Sequence, residues 1–213
     1  MTLKLYYAPG ACSFVPHTLL ESTGEAFEPV MVKLHKGEQQ SPEYRVINPR
    51  GQVPVLVDGG HVITQILAIV AYLNDRFPKM GFLPAEPLAK ARVMETLAWM
   101  NNTVHPTFTH IFMPQKFSAN AAVHDDLRSH NTVLYRGLLD ELQALVQHAT
   151  AAGQAWLGGP NFGPLDAYAL TLTRWGSIAG INPLDLPDLW IFVQRVASQS
   201  AVARVIERER LQL

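Results

Sequence analysis

The chain has 213 residues, 48% hydrophobic and 16% charged, with a formal net charge of −1. This is the mixture of a folded globular protein that can bury a sizeable core, and it excludes a disordered chain and the broad basic face a nucleic acid partner requires. Cys12 is the only cysteine, so an internal disulfide is impossible and a reducing, cytoplasmic compartment is expected.

"LKLYY" (3–7) reads as a short buried strand that stops at "APG", and "CSFVPHTLLES" (12–22) follows as a helix ending at Gly24. "AFEPVMVKL" (26–34) reads as a second strand, parallel to the first if the helix is a crossover. "SPEYRVI" (41–47) carries Ser at the N-cap, Pro at N1 and Glu in the first turn, which predicts a helix start. "VPVLV" (53–57) and "HVIT" (61–64), joined by "DGG", predict a hairpin. From Gln65 the apolar period becomes helical through Phe77. The expected fold is an α/β domain, βαβαββα over 1–78, a Pro-rich linker at 79–87, and an all-α domain over 88–213. Its helices are expected at about 88–112, 123–150, 164–180, 187–198 and 201–208. The N-terminal stretch lacks the features of a secretory leader, and the most apolar segment, "VITQILAIVAYL", is too short to span a bilayer and contains Gln65, so no membrane association is expected.

Three features point to chemistry. Cys12 sits at a strand-to-helix junction, where unpaired N–H groups and the helix dipole favour a thiolate with a pKa below about 8.5; the alternative is a small buried apolar residue. Pro54 opens a strand, and a cis Val53–Pro54 bond would present the Val53 backbone to an extended, peptide-like ligand. The helix starting after Gln65 offers N–H groups to a carboxylate. The eight histidines show no metal-ligand spacing, and no phosphate-loop, dinucleotide or serine-hydrolase motif occurs, so no metal is expected.

"KLYYAPGACSFVPHTLLES", "INPRGQVPVL", "AIVAYL" and "GGPNFGPLDAYALTLTRW" together resemble the cytosolic glutathione S-transferases, most closely the bacterial beta class, over essentially the whole chain. The resemblance implies a thioredoxin-like domain followed by a helical domain in a cytoplasmic, detoxifying homodimer. Glutathione would be co-substrate along the first domain, and a small apolar electrophile would lie between the two. It places the catalytic cysteine on Cys12, with Ser13 and Tyr6 as second candidates for acting on the thiol. His105 would reach toward the ligand or the Cys12 sulfur. Gln52, Val53, Pro54, Gln65, Ile66 and Lys36 would hold the tripeptide, the last through its glycyl carboxylate.

The chain also departs from that pattern. Gln65 and Ile66 stand where the family has an acidic residue and then Ser or Thr, Pro106 where the beta class is basic, Ala98 where it has Asn, and Gly163 replaces the hydroxyl member of a capping box whose Asp166 is kept. Two readings follow. One is a transferase that conjugates glutathione to electrophiles or reduces mixed disulfides through Cys12. The alternative is a binding module of the same fold with weakened or lost glutathione chemistry.

Overall fold

A computed structural model describes residues 2–213. Strand β1 (Leu3–Tyr7) alternates, burying Leu3, Leu5 and Tyr7 and turning Lys4 and Tyr6 to the other face. Helix α1 (Phe14–Thr23) ends at Gly24 in the left-handed conformation, φ 72°. Strand β2 (Phe27–Met31) pairs parallel with β1, and β3 (Val55–Asp58) pairs antiparallel with both β1 and β4 (His61–Thr64). Helix α2 (Pro42–Ile47) starts as its sequence predicts, the Ser41 hydroxyl accepting the Tyr44 N–H at 3.2 Å. The four strands form one sheet of order β2-β1-β3-β4, and helix α3 (Ile66–Arg76) follows β4.

The element order and the parallel pair match the sequence reading. One strand starts later: β3 begins at Val55, because Pro54 has no N–H to give the ladder and Val53–Pro54 is cis. One face of the sheet packs Leu3, Leu5 and Leu56 against Phe14, Val15 and Leu19 of α1 and Ile69, Val70 and Leu73 of α3. The other face covers Val32 and Val55 with Tyr44 of α2.

Six helices follow: α4 (Pro87–Trp99), α5 (His105–Phe112), α6 (His124–Ala151), α7 (Pro164–Ile178), α8 (Pro187–Ala197) and α9 (Ser200–Glu209). The helix expected over 88–112 is interrupted by a π-turn at Met100–Val104, where the His105 N–H reaches the Met100 carbonyl five residues back. Pro106 has no N–H for a regular α-helical bond, and the wider turn falls just before it. Helix α7 runs through the centre, buried along nearly all of Pro164–Gly176. A Cβ on Gly176 would stand 2.7 Å from Leu139 Cδ1, so glycine sets how closely α6 approaches. Asp166 keeps its half of the capping box: Oδ2 accepts the Gly163 N–H and Oδ1 the Leu157 N–H, both at 2.8 Å. No helix among the described residues is long and apolar enough to cross a membrane.

Candidate active site

The loop between β1 and α1 carries Cys12 and is fixed from both sides. Within it, Ser13 is fully buried, its hydroxyl accepting the Ala8 N–H at 3.0 Å and donating to the Ala8 carbonyl at 3.2 Å. This corrects the expectation that Ser13 acts on a thiol: both hydrogen-bonding roles are spent closing the loop on itself. From outside, Gly10 donates its N–H to Glu209 Oε2 at 2.8 Å and accepts Trp175 Nε1–H at 2.9 Å and Arg174 Nη1–H at 3.4 Å on its carbonyl. The other Glu209 oxygen lies 2.7 Å from His17 Nδ1 on α1, and both side chains are wholly buried. Gly10 adopts φ 69°, and a Cβ there would stand 2.7 Å from Arg174 Nη1, so glycine suits the position on both counts. Helices α7 and α9 of the helical domain thus hold the loop two residues before the cysteine.

The environment of Cys12 overturns the expected low pKa. Its own N–H and that of Ser13 do favour the thiolate, as the helix-start argument requires, but burial outweighs them and pushes the thiol up to about 12. The side chain is 9% exposed, and Sγ lies 3.8 Å from the Val53 carbonyl, within reach of a weak S–H···O bond. No cation is paired with it among the described residues. In the ligand-free protein Cys12 is a thiol.

The candidate binding residues spread along the edge beside it. The Gln52 carbonyl accepts from Tyr44 Oη at 2.9 Å and Asn48 Nδ2 at 2.7 Å, which fixes the approach to Val53–Pro54, while the Gln52 side chain is exposed. Gln65 is exposed and has φ 71° and ψ 130°, a backbone region costly for any residue but glycine. Ile66, next to it, is buried at 2% exposure, so only its backbone is available to a ligand at the start of α3. Lys36 is exposed at the end of a short 3-10 turn. Tyr6 goes elsewhere, a second correction: strand alternation puts it on the α2 side of the sheet, its ring edge-on to Tyr44 at 5.9 Å.

His105 pairs with a residue that sequence reasoning missed. Its Nδ1 lies 2.8 Å from Tyr168 Oη, and Tyr168 also reaches Asn101 Oδ1 at 3.3 Å. The imidazole packs edge-on to Trp175 at 4.7 Å. Burial, and secondarily Lys116, lower its pKa to about 4, so it is neutral near pH 7. The phenol of Tyr168 is pushed well above its ordinary value, chiefly by burial. The Nδ1 atom of His105 is thus engaged by Tyr168. Asn101 and His105 meet Tyr168 only through packing of the π-turn and α5 on α7, and Arg174 and Glu209 meet Gly10 only through packing of α7 and α9 on the loop. Among them the sequence marks His105, and the segment "GGPNFGPLDAYALTLTRW" contains Tyr168 and Arg174.

A cysteine at a helix start, facing the carbonyl before a cis-proline in a thioredoxin-like domain with an all-helical domain packed behind it, defines a two-domain protein built around thiol chemistry. The comparisons agree in detail. Residues 1–75 match the family model "Glutathione S-transferase, N-terminal domain". Glutathione S-transferase GstA of Escherichia coli O157:H7 is 31% identical over 212 residues, covering 98% of this chain and 100% of the relative. A sphingomonad glutathione S-transferase solved in complex with glutathione superposes with a TM-score of 0.83 at 29% identity, over 98% of this chain and 100% of that one. A beta class enzyme of Sphingomonas chungbukensis gives a TM-score of 0.84 at 26% identity, with the same coverage. The chain belongs to the glutathione S-transferase family.

Proposed function

We propose that the protein is a glutathione transferase of the beta class that holds glutathione along the thioredoxin-like domain with its sulfur at Cys12. It conjugates the tripeptide to small apolar electrophiles or takes it up in a mixed disulfide. The observation that carries this reading is the Cys12 sulfur 3.8 Å from the Val53 carbonyl, with the strained Gln65 next to Thr64, the strand partner of Val55. Strain at an exposed polar residue beside a free helix start is the kind of feature retained at ligand sites. The Val53 backbone pairs with the cysteinyl residue, Gln65 and the N–H groups opening α3 take the γ-glutamyl end, Gln52 flanks the tripeptide, and Lys36 takes the glycyl carboxylate.

The protonated state of Cys12 assigns its part. As a thiol it donates a hydrogen bond to the glutathione sulfur and favours the glutathione thiolate. That thiolate attacks the electrophilic carbon, the C–S bond forms, and the leaving group departs with its electron pair. Neutral His105 acts as a hydrogen-bonding group rather than a base. Exchange with oxidised glutathione requires the Cys12 thiolate and is correspondingly slow: Cys12 gains one glutathionyl group and one glutathione leaves reduced. The alternative, a module without glutathione chemistry, is not favoured by full-length relatives that are themselves named transferases.

A cytoplasmic, detoxifying homodimer fits this reading, with Leu88 and Val62 leaving 63% and 47% of their surface exposed on a single chain. Sedimentation checks the dimer. Calorimetry with reduced glutathione, paired with turnover of an aryl halide by wild type and Cys12→Ala, tests the function. The expected result is binding in the high micromolar to millimolar range, since neutral Gln65 brings no charge to the γ-glutamyl ammonium and a charge-assisted bond is worth about 1.5–3 kcal/mol. No binding at millimolar glutathione together with no turnover would refute it.

A further inference from the structure

The loop that carries Cys12 is nearly self-contained. Among the described residues, the backbone hydrogen bonds of residues 8–12 close within residues 8–15, except at Gly10. Gly10 is tied on both sides: its N–H donates to Glu209 Oε2 at 2.8 Å, and its carbonyl accepts Trp175 Nε1–H at 2.9 Å and Arg174 Nη1–H at a longer 3.4 Å. The tie to α9 needs a carboxylate. Arg208 Nη1 lies 3.2 Å from His17 Nε2 and can only donate, so the His17 Nδ1 hydrogen points at Glu209 Oε1, 2.7 Å away. Glu209 therefore meets two donors, one on each oxygen, in a setting where its side chain and that of His17 are wholly buried. The two donors that favour a Cys12 thiolate, its own N–H and that of Ser13, belong to the helix start and travel with the loop. The burial that opposes the thiolate depends on where the loop is held.

We propose that Glu209 is a positioning residue for Cys12: through Gly10 it keeps the sulfur seated against the Val53 carbonyl and so suppresses thiol exchange at this site. With that tie cut, the loop keeps its internal bonds and its helix-start donors but loses its seat, so the sulfur gains water and ionises more readily. The Cys12 thiolate then attacks one sulfur of oxidised glutathione. A bond between Cys12 and that glutathionyl sulfur forms as the old S–S bond breaks, and the other half leaves as a thiolate that takes up a proton, matching the one Cys12 released. This exchange rests on the transferase reading for glutathione binding beside Cys12; the positioning of the sulfur does not.

Intact mass follows labelling of Cys12 by iodoacetamide from pH 6 to 10, at urea concentrations below the melt, in wild type, Glu209→Gln, Glu209→Asp and Tyr135→Phe. Gln offers one acceptor oxygen to two donors, and Asp keeps the charge but is one methylene short of reaching both. Tyr135→Phe is the stability control, since it removes a buried bond to the Leu172 carbonyl and none to the loop. Labelling through global unfolding rises steeply with urea, whereas labelling through a loosened loop does not. Glu209→Gln is expected to raise the urea-independent rate about tenfold or more, the change that losing a hydrogen bond to a charged group allows, and to move the pH profile toward that of the unfolded chain. Glu209→Asp shows a smaller rise and decides the matter if Glu209→Gln does not fold; Tyr135→Phe changes only the urea-dependent part. An unchanged urea-independent rate in the Glu209 variants, labelling that follows global unfolding alone, or an equal rise in Tyr135→Phe makes Glu209 a structural tie and overturns the proposal. A second arm exposes the same proteins to oxidised glutathione and reads the mass of the added glutathionyl group, whose rate of addition is expected to rise in the same order. Faster alkylation of the Glu209 variants without glutathionylation of any would sustain the positioning role and count against the glutathione reading, so the two fail separately.

Discussion

The ionisation of Cys12 gives the sharpest test, because local helix geometry and tertiary burial pull it in opposite directions. With the thiol pushed up to about 12, only about one molecule in ten thousand carries a thiolate at pH 8. An unperturbed cysteine of pKa about 8.5 would be about a quarter ionised at that pH. Alkylation proceeds through the thiolate, so the native protein should react with iodoacetamide about a thousandfold or more slowly than the same chain unfolded in urea, before any loss of access. The assay follows intact mass after timed exposure from pH 6 to 10, with the urea-unfolded chain as the internal reference. The unfolded rate should level off above its ordinary pKa, while the native rate keeps rising tenfold per pH unit throughout. Linkage gives a second readout: the native state keeps a proton that the unfolded state sheds, so this group lowers stability as pH rises beyond the ordinary thiol range. A native alkylation curve with its midpoint at or below 8.5 would show that charges or donors stabilise the thiolate more than burial opposes it.

Replacing Glu209 with Ala strips the partners from the buried His17 Nδ1 and Gly10 N–H at once. It should cost about 3–5 kcal/mol, and at about 2–4 °C per kcal/mol for a chain of this size the melting temperature falls by roughly 6–20 °C; calorimetry showing less than 2 °C would contradict the clamp. Gln65→Gly relieves the φ of 71° and should gain about 0.5–2 kcal/mol after the extra entropy of an unfolded glycine, read from urea melts; a loss of stability would mean the residue is not strained. His105, with its pKa lowered to about 4 from 6.5, takes up a proton only in the unfolded chain between those values. Stability should therefore fall as pH drops through that window, by at most about 3 kcal/mol, and the imidazole NMR titration should show a midpoint far below the usual value. Tyr168→Phe removes the hydroxyl between His105 and Asn101 and should cost about 1–3 kcal/mol in thermal melts; no change would mean that water satisfies both partners.

Local features of the chain determine a good deal of this protein. Strand alternation in "LKLYY", the Ser-Pro-Glu start of α2, the Gly-Gly turn of the hairpin and the helical period after Gln65 each act within a few residues, so the βαβαββα order is legible without tertiary contacts. The same holds for the place of Cys12 at a helix start, and the family resemblance of "NPRGQVPVL" marked Pro54, which is cis. What the local pattern could not decide was which side chains are taken by neighbours far along the chain. Ser13 and Tyr6 were plausible thiol partners by position, but one is spent on Ala8 and the other faces α2. Glu209 reaches Gly10 across 199 residues, and His105 meets Tyr168 across 63. The ionisation of Cys12 is of the same kind: helix-start donors are set by sequence neighbours, whereas desolvation comes from everything packed around the sulfur, and here the second effect is the larger.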